Sequence, residues 1–184
     1  LDAHARSGRV GVALRTSGGD VEGLALAAVG GEGGYVEVAA LTEADENALA
    51  AWLADESVAK AAHDLKLPLR ALRARGWTLR GVSSDTALAA YLVRPGQRSF
   101  ALDDLALRYL KRELRAEEPD DGQLSLLADE EEDRQKTAQA AIVRAFAVAE
   151  LADALDAELV ATGQESLLAT LELPLMMVLD EVEA

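Results

Sequence analysis

Cysteine is absent from this 184-residue chain, histidine occurs only at His4 and His63, and aromatic residues make up 4% of it. Without cysteine, a disulfide framework, a zinc–thiolate site and a cysteine nucleophile are all excluded. Two histidines are too few for a multi-histidine metal cage. No apolar run has the roughly 20 residues that a bilayer-spanning helix needs. The chain opens at Leu1 without a basic-then-apolar leader, so we expect no signal peptide and interpret both ends as cuts in a longer polypeptide.

Hydrophobic residues make up 50% of the sequence, mostly Ala, Leu and Val. That is enough to bury a core of small aliphatic side chains, and the length predicts a single domain over residues 1–184. Basic residues are scarce, with 18 Lys and Arg against 33 Asp and Glu, for a net charge of −15. The charge excludes a protein that holds nucleic acid by bulk positive charge, because phosphate neutralisation needs a basic surface.

Much of this acidity lies in one segment. Nine acidic residues and no basic ones occur between Ala116 and Asp133, around Pro119, Gly122 and a short apolar patch at Leu124–Leu127. Like charges at this density repel, so residues 116–133 are predicted to be an extended acidic surface insertion. The alternatives are an interaction tail or a mimic of nucleic-acid charge.

Strand patterns come first along the chain, strands and helices then alternate, and helices follow. The pattern predicts a mixed α/β domain with a central sheet. Gly-rich turns join three strands of an antiparallel meander, at Arg9–Thr16, Val21–Val29 and Tyr35–Ala39. Further short strands are predicted at Ser57–Ala62 and Trp77–Val82. Helices are predicted at Glu43–Ala54, from Pro68 to Arg75, and at Asp85–Val93, Phe100–Leu110 and Arg134–Val160, followed by a C-terminal helical part broken near Pro174.

Four segments resemble family A bacterial DNA polymerases. Lys60–Lys66 reads KAAHDLK where that family carries K-x-G-x-N-L-K-x-D, and Gly81–Leu92 reads GVSSDTALAAYL where it carries G-x-x-x-D-T-x-L-x-x-Y-L. Ser99–Ala106 is similar to the family's H-x-L-D-x-L-A helix, and Leu171–Leu175 to the E-x-P-L segment that leads into the polymerase domain. The segments occur in the family's order. The Ala-rich composition with an acidic insert is similar to an actinobacterial member.

The resemblance implies a ribonuclease H-like (DnaQ-like exonuclease) α/β fold, with a mixed central sheet flanked by helices and a helical C-terminal part. Residues 165–184 would form a helix leading toward a polymerase domain outside this sequence. The family's 3′–5′ editing reaction hydrolyses a terminal phosphodiester with two metal ions held by four carboxylates, and a tyrosine orients the attacking water.

The positions that match these ligands carry no carboxylate. The family's first motif, D-x-E, aligns with Arg15-Thr16-Ser17, and its second-motif aspartate falls on Pro68. The third motif, Y-x-x-x-D, is placed with Thr137 at the tyrosine and Ala141 at the aspartate. Lys136–Ala149 contains neither Tyr nor Asp, so a shift of a few residues does not change the result. We therefore expect no metal in this domain and Mg²⁺ only in the absent polymerase domain.

Charge compensation is the role expected of three residues. The Arg15 guanidinium is effectively always protonated, and we expect it to pair with Asp64 or Asp85 and so replace the metal charge. Asp85 has two interpretations, a residual single-metal ligand or a helix-start residue, and the second is favoured because a helix N-terminus stabilises a carboxylate. His63 is a candidate general base, but with no nucleophile in view a structural histidine is favoured.

One basic region has two open interpretations. It faces DNA or the adjoining polymerase domain, or it is a solvated helix face balanced by the acidic insertion; its members are Lys66, Arg70, Arg73, Arg75 and Arg80. The run Gly30–Gly34 is interpreted as a hairpin turn rather than a phosphate cradle, because no helix opens from it. Met176 and Met177 are assigned to core or interdomain packing.

The leading functional expectation is a catalytically inactive 3′–5′ exonuclease-like domain that serves as a structural platform for DNA synthesis and repair by its parent chain. Its expected partners are the polymerase domain of that chain and, weakly or indirectly, DNA. No membrane partner is expected, and the chain is expected to be a monomer by default. The expected location is cytoplasmic, with association to the nucleoid through DNA. Two alternatives remain open, an active metal-dependent proofreading exonuclease and an acidic protein-interaction module.

Overall fold

The computed structural model describes residues 8–114 and 130–176. Expectations for His4, for residues 116–129 of the acidic insertion and for Met177 lie outside the described residues. The last four residues of the insertion, 130–133, are not an extended loop but the first turn of a long helix. Acidic side chains are favourable there because the helix dipole is positive at its N-terminus.

A five-stranded sheet forms the centre of the fold, in the order β3-β2-β1-β4-β5. The first three strands are an antiparallel meander, as predicted, and β4 and β5 run parallel to β1. The strands are β1 Val10–Ser17, β2 Asp20–Ala28, β3 Gly33–Glu37, β4 Lys60–Ala62 and β5 Val82–Asp85.

Helices cover the sheet. In chain order they are α1 Glu43–Ala54, α2 Lys66–Ala74, α3 Thr86–Val93, α4 Leu102–Leu105, α5 Glu130–Thr162 and α6 Glu165–Leu167. A 3₁₀ turn occupies Val38–Ala40, and π-helical turns extend α4 over Ala106–Leu110 and α6 over Leu168–Glu172. The sheet with its flanking helices and helical C-terminal part confirms the predicted fold class.

Different helices pack on the two faces of the sheet. Valine and leucine side chains of β1 and β2 share one core with α1 and α2, which includes Trp52 and Leu53. On the other face α5 approaches so closely that a Cβ at Gly11 would overlap the backbone of Ala145. Alanines at this interface, among them Ala25 and Ala27, allow the short distance. The Ala-rich composition therefore places α5 directly over β1.

Several local predictions need correction. Trp77–Gly81 is not a strand, and β5 begins at Val82; in the Ser57–Ala62 prediction only the last three residues are strand. The C-terminal helical turns continue past Pro174 without a break as far as residue 176. A π turn at Leu168–Glu172 precedes this proline, whose missing N–H makes a wider turn inexpensive.

Other local predictions are confirmed. Helix α1 has the predicted bounds, and the structure shows that Thr42 caps it in a reciprocal capping box with Asp45. Pro68 lies in the first turn of α2, where its missing N–H costs nothing, although α2 begins two residues earlier. Within residues 8–114 and 130–176, no helix combines the length and apolarity that a bilayer crossing requires.

Candidate functional site

The elements that carry the three motifs meet at one small cavity of about 80 Å³. Strand β1 contributes Val12–Leu14, the first turn of α2 contributes Pro68, and α5 contributes Arg144 and Val148. The remaining lining residues end or follow β4, or lie at the start of α2 and α4: Ala62, His63, Leu65 and Leu102. We call this space the motif cavity. Among the described residues, none of those that line the motif cavity is Asp or Glu.

The strand order explains why these elements converge. Strand β4 lies beside β1 in parallel, with Gly11 opposite Ala61, so the loop after β4 and the start of α2 emerge next to the middle of β1. Helix α5 crosses the same region because Gly11 leaves room for its backbone. The cavity thus lies where the carboxyl end of β4 passes β1 beneath α5.

Arg144 brings a positive charge to the motif cavity. It is the only charged residue between Lys136 and Glu150, and its guanidinium Nη1 lies 3.7 Å from the carboxylate Oδ2 of Asp103. The predicted third-motif residues Thr137 and Ala141 are not among the lining residues. The position on α5 that faces Pro68 is therefore three residues, nearly one helical turn, beyond Ala141.

Arg15 lies elsewhere. Its Nη2 pairs with Glu22 Oε2 at 2.9 Å across the β1–β2 hairpin, and both side chains are about half exposed. The expectation that Arg15 pairs with Asp64 or Asp85 is wrong, because Arg15 stands at the exposed end of β1, where β2 supplies the nearest acid. Arg15 and Thr137 do come together, but in a separate surface cleft.

The five positions matched to the family's motifs are not gathered in one cavity. Pro68 lines the motif cavity, Arg15 and Thr137 line the separate cleft, and Ala141 packs against the alanine interface beneath α5. Ser17 is exposed at the end of β1, opposite Asp20. The residues of β1 that reach the cavity are Val12–Leu14, which lie closer to the start of the strand than Arg15 and Ser17 do. The conclusion about charge is unchanged, since those residues are also apolar.

Asp85 is a structural helix cap. The residue is 1% exposed, and its carboxylate accepts N–H bonds from Ala87 (2.9 Å) and Leu88 (3.3 Å) at the start of α3. It also accepts from Asp64 (3.2 Å) and Leu65 (2.9 Å) in the loop after β4. The helix-start interpretation of Asp85 is confirmed. Three of these N–H donors share Oδ1 and the fourth reaches Oδ2, so the carboxylate is engaged by the backbone on both of its oxygens.

His63 adjoins this cap. Its Nδ1 is 2.9 Å from the Oγ1 of Thr86, a fully buried residue in the first turn of α3. Burial lowers the pKa of the His63 imidazole below its usual value, and the carboxylates of Asp85 and Asp64 oppose that shift. No hydroxyl or thiol nucleophile lines the motif cavity beside His63 among the described residues. The geometry fits the structural role favoured from the sequence.

Lys60 is a residue whose role was not predicted. It is fully buried on β4, and its ammonium donates to the carbonyls of Asp55 (2.7 Å), Val58 (3.1 Å) and Arg80 (3.0 Å). It also lies 4.8 Å from the ring centre of Trp52. Burial lowers the pKa of the Lys60 ammonium, while Asp55 opposes the shift. Through its contacts with three carbonyls and an aromatic face, Lys60 holds the loop before β4 in place.

Two members of the basic region are paired with acids. Arg75 pairs with Glu46 at 3.0 Å, and Arg80 pairs with Glu56 at 2.6 Å. Lys66, Arg70 and Arg73 also interact with other groups of the chain. The balancing acids of Arg75 and Arg80 come from α1 and the loop after it, not from the acidic insertion.

The donor set does not fit the two divalent ions that this fold class implies. Mg²⁺ needs several oxygen ligands, mainly carboxylates, and the motif cavity offers apolar side chains, His63 and Arg144. Across residues 8–114 and 130–176, no group of three or more His, Asp or Glu side chains could hold a metal ion.

This sheet order, with α5 laid across β1, defines the ribonuclease H-like exonuclease fold. A nuclease solved in its apo form superposes with a TM-score of 0.72 at 20% identity, over 99% of this chain and 89% of that one. At this identity the likeness concerns the fold alone.

Residues 18–119 match the model of the family "DNA polymerase I, ribonuclease H-like domain", and the chain belongs to that family. It is 55% identical to DNA polymerase I of Mycobacterium tuberculosis over 190 residues, which cover 100% of this chain and 21% of that protein. The POL domain of Pol1 from M. smegmatis, solved with primer-template DNA and dNTP, superposes with a TM-score of 0.85 at 49% identity, over 100% of this chain and 30% of that one. The chain thus spans about a fifth of the mycobacterial relative's length.

Proposed function

We propose that this chain is a catalytically inactive 3′–5′ exonuclease-like domain, serving as a structural platform for DNA-templated DNA synthesis and repair by a DNA polymerase I. One observation carries the proposal: the motif cavity, where three motif-bearing elements meet, holds an arginine and no carboxylate. Two-metal hydrolysis needs ligands that neutralise two divalent ions, whereas Arg144 adds a positive charge.

Moving the motif alignment does not restore the missing charge. A three-residue shift on β1 replaces Arg15 and Ser17 with Val12 and Leu14, and a three-residue shift on α5 replaces Ala141 with Arg144. None of these residues is a carboxylate. Mg²⁺ would then be required only by the polymerase part of the parent chain.

Direct DNA binding by this chain would be weak and salt-sensitive. The net charge of −15 repels phosphate, and Arg75 and Arg80 already pair with glutamates. The favoured partner is therefore the polymerase part of the same parent chain, with DNA reached indirectly at the nucleoid and the chain itself a monomer.

A nuclease assay tests the proposal. The purified chain is incubated with a 5′-labelled single strand and Mg²⁺ or Mn²⁺, beside a mock purification and a DnaQ-like nuclease that retains its carboxylates. We expect no terminal nucleotide release above the mock sample. Release above that level, accompanied by calorimetric Mn²⁺ binding, would instead establish the alternative of an active exonuclease.

A further inference from the structure

The motif cavity is lined by one guanidinium, one imidazole and no carboxylate. Among the described residues around it, Arg144 and His63 are the ones with a charged or titratable side chain, and the others are apolar. A place that holds cations in this fold class therefore has the opposite polarity in this chain. A cavity lined by positive charge concentrates anions, provided that its donors are available and its volume suits the ligand.

The donors of Arg144 are available to a ligand. Its contact with Asp103 spans 3.7 Å, which is longer than a hydrogen bond. The Asp103 side chain is 58% exposed, so water screens this pair. Within residues 8–114 and 130–176, the guanidinium of Arg144 donates no hydrogen bond. Its five N–H groups can therefore turn to an anion in the cavity.

His63 supplies the second polar group. Its Nδ1 is engaged with the Oγ1 of Thr86, which leaves Nε2 as the ring nitrogen without a hydrogen bond among the described residues. A protonated imidazole donates from both nitrogens, so protonation of His63 would add a donor to the cavity.

The charges around His63 oppose one another. Burial lowers its pKa most, and four charged side chains also act on it: Asp85 and Asp64 raise the pKa, Arg144 lowers it and Asp103 raises it. An anion beside Arg144 would counter both causes that lower the pKa, because it offsets the guanidinium charge and stabilises the buried imidazolium.

The size of the cavity restricts the ligand. Its volume of about 80 Å³ equals that of roughly two or three water molecules. Pockets for organic ligands have about 300 Å³ or more, so a nucleotide is too large, whereas a monatomic anion with one water molecule fits. Apolar side chains of β1, α2 and α5 form the walls, and such surroundings strengthen the attraction between unlike charges.

We propose that the motif cavity binds one small inorganic anion, such as chloride, between the Arg144 guanidinium and the His63 imidazole, and that this binding is coupled to proton uptake by His63. The inference goes beyond the proposed function and does not depend on it. Because the two events favour each other, chloride should raise the pKa of His63, and a lower pH should tighten chloride binding.

A nuclear magnetic resonance titration of the imidazole signals tests the site. The chain has two histidines, so a His4→Gln variant assigns the signal of His63. The pKa of His63 is measured at a constant ionic strength of about 0.15 M in sodium chloride and in sodium gluconate, whose anion is too large for the cavity. We expect the pKa to be higher in chloride by about 0.5 or more.

Three variants separate the site from a general effect of salt. Arg144→Gln removes the guanidinium and should abolish the difference between the two salts. The matched control Arg98→Gln removes an exposed arginine outside the cavity and should leave the difference unchanged. Asp103→Asn removes the carboxylate that competes with the anion and should enlarge the difference. Its side chain is mostly exposed, so this variant tests the proposal even if Arg144→Gln fails to fold.

Equal pKa values of His63 in chloride and gluconate would overturn the proposal. A difference that persists in Arg144→Gln would assign the effect to another site, and a rise caused by a single-stranded oligonucleotide but not by chloride would assign the cavity to nucleic acid; either result also overturns it. No divalent ion is present in these titrations, so failure of the anion site and failure of the proposed inactivity are distinguishable.

Discussion

Replacing the buried Asp85 carboxylate should destabilise the fold more than any exposed cap can. Its Oδ1 accepts from the N–H groups of Asp64, Ala87 and Leu88, and its Oδ2 accepts from Leu65. The side chain therefore joins the start of α3 to the loop that enters α2. Asp85→Ala leaves donors on both elements without an acceptor, in a place that water reaches poorly.

The loss can be estimated from its parts. Removing an N-cap costs about 1 kcal/mol. Leaving the two loop N–H groups unsatisfied costs about 1–3 kcal/mol each. A total of about 3–7 kcal/mol is expected for Asp85→Ala, a large share of the roughly 5–15 kcal/mol that stabilises a domain. Asp85→Asn keeps one acceptor oxygen and can still serve the three donors that Oδ1 serves, so its cost should be intermediate.

Urea unfolding followed by circular dichroism measures these differences at pH 7. The matched control is Asp45→Ala, which removes the reciprocal half of the exposed capping box of α1 and should cost no more than about 1 kcal/mol. The expected order of destabilisation is Asp85→Ala, then Asp85→Asn, then Asp45→Ala. If Asp85→Ala costs no more than Asp45→Ala, the two loop bonds contribute nothing and the reasoning is refuted.

Three further predictions concern Lys60, His63 and Gly11. Lys60→Met should lower the unfolding free energy by about 3 kcal/mol or more in urea, because three carbonyls lose a charged donor. The exposed control Lys136→Met should change it by no more than about 0.5 kcal/mol. Equal losses would contradict a stabilising role for the buried Lys60 ammonium. His63 has a lowered pKa in the fold, so its contribution to stability is complete above the unfolded pKa of 6.5 and is lost as pH falls through 6.5 toward the folded pKa. Between pH 7.5 and 5.5 the unmodified chain should therefore lose more unfolding free energy than the His63→Asn variant. Parallel losses in the two proteins would refute this. Gly11→Ala should cost about 1–3 kcal/mol because the new Cβ would meet the α5 backbone. Gly34→Ala, whose Cβ would meet nothing within 4 Å, should be nearly neutral in the same urea measurement. Equal effects would show that α5 shifts freely.

Much of the fold could be predicted because local signals and burial agree. The meander follows from Gly-rich turns between apolar runs, and α1 follows from the Thr42 capping box. The prediction at Trp77–Val82 failed although Trp77 and Leu79 alternate with exposed residues as in a strand. There the backbone N–H groups of Trp77 and Arg80 bond to helix carbonyls rather than to a neighbouring strand. Burial with a period of two therefore does not by itself identify a sheet partner.

The site was predicted in part. Pro68 lines the motif cavity, and its alignment is anchored by KAAHDLK. Helix α5 has no such anchor, because an alanine-rich helix looks similar in every register. One signal was available: Arg144 is a single charge in a long uncharged stretch, and such a residue in a packed helix marks a polar opening. The Lys60 clamp could not have been found, because its acceptors are backbone carbonyls, which the sequence does not distinguish.

The arginine in the motif cavity also bears on how such a site changes over evolutionary time. A carboxylate introduced alone on β1 or at Pro68 would meet the Arg144 guanidinium and form an ion pair instead of waiting for a metal ion. An aspartate at position 144 alone would remove the partner of Asp103 and add a second negative charge near it. Each of these single substitutions is thus neutralised or opposed by a neighbouring charge, so no one of them alone creates a metal-binding pocket.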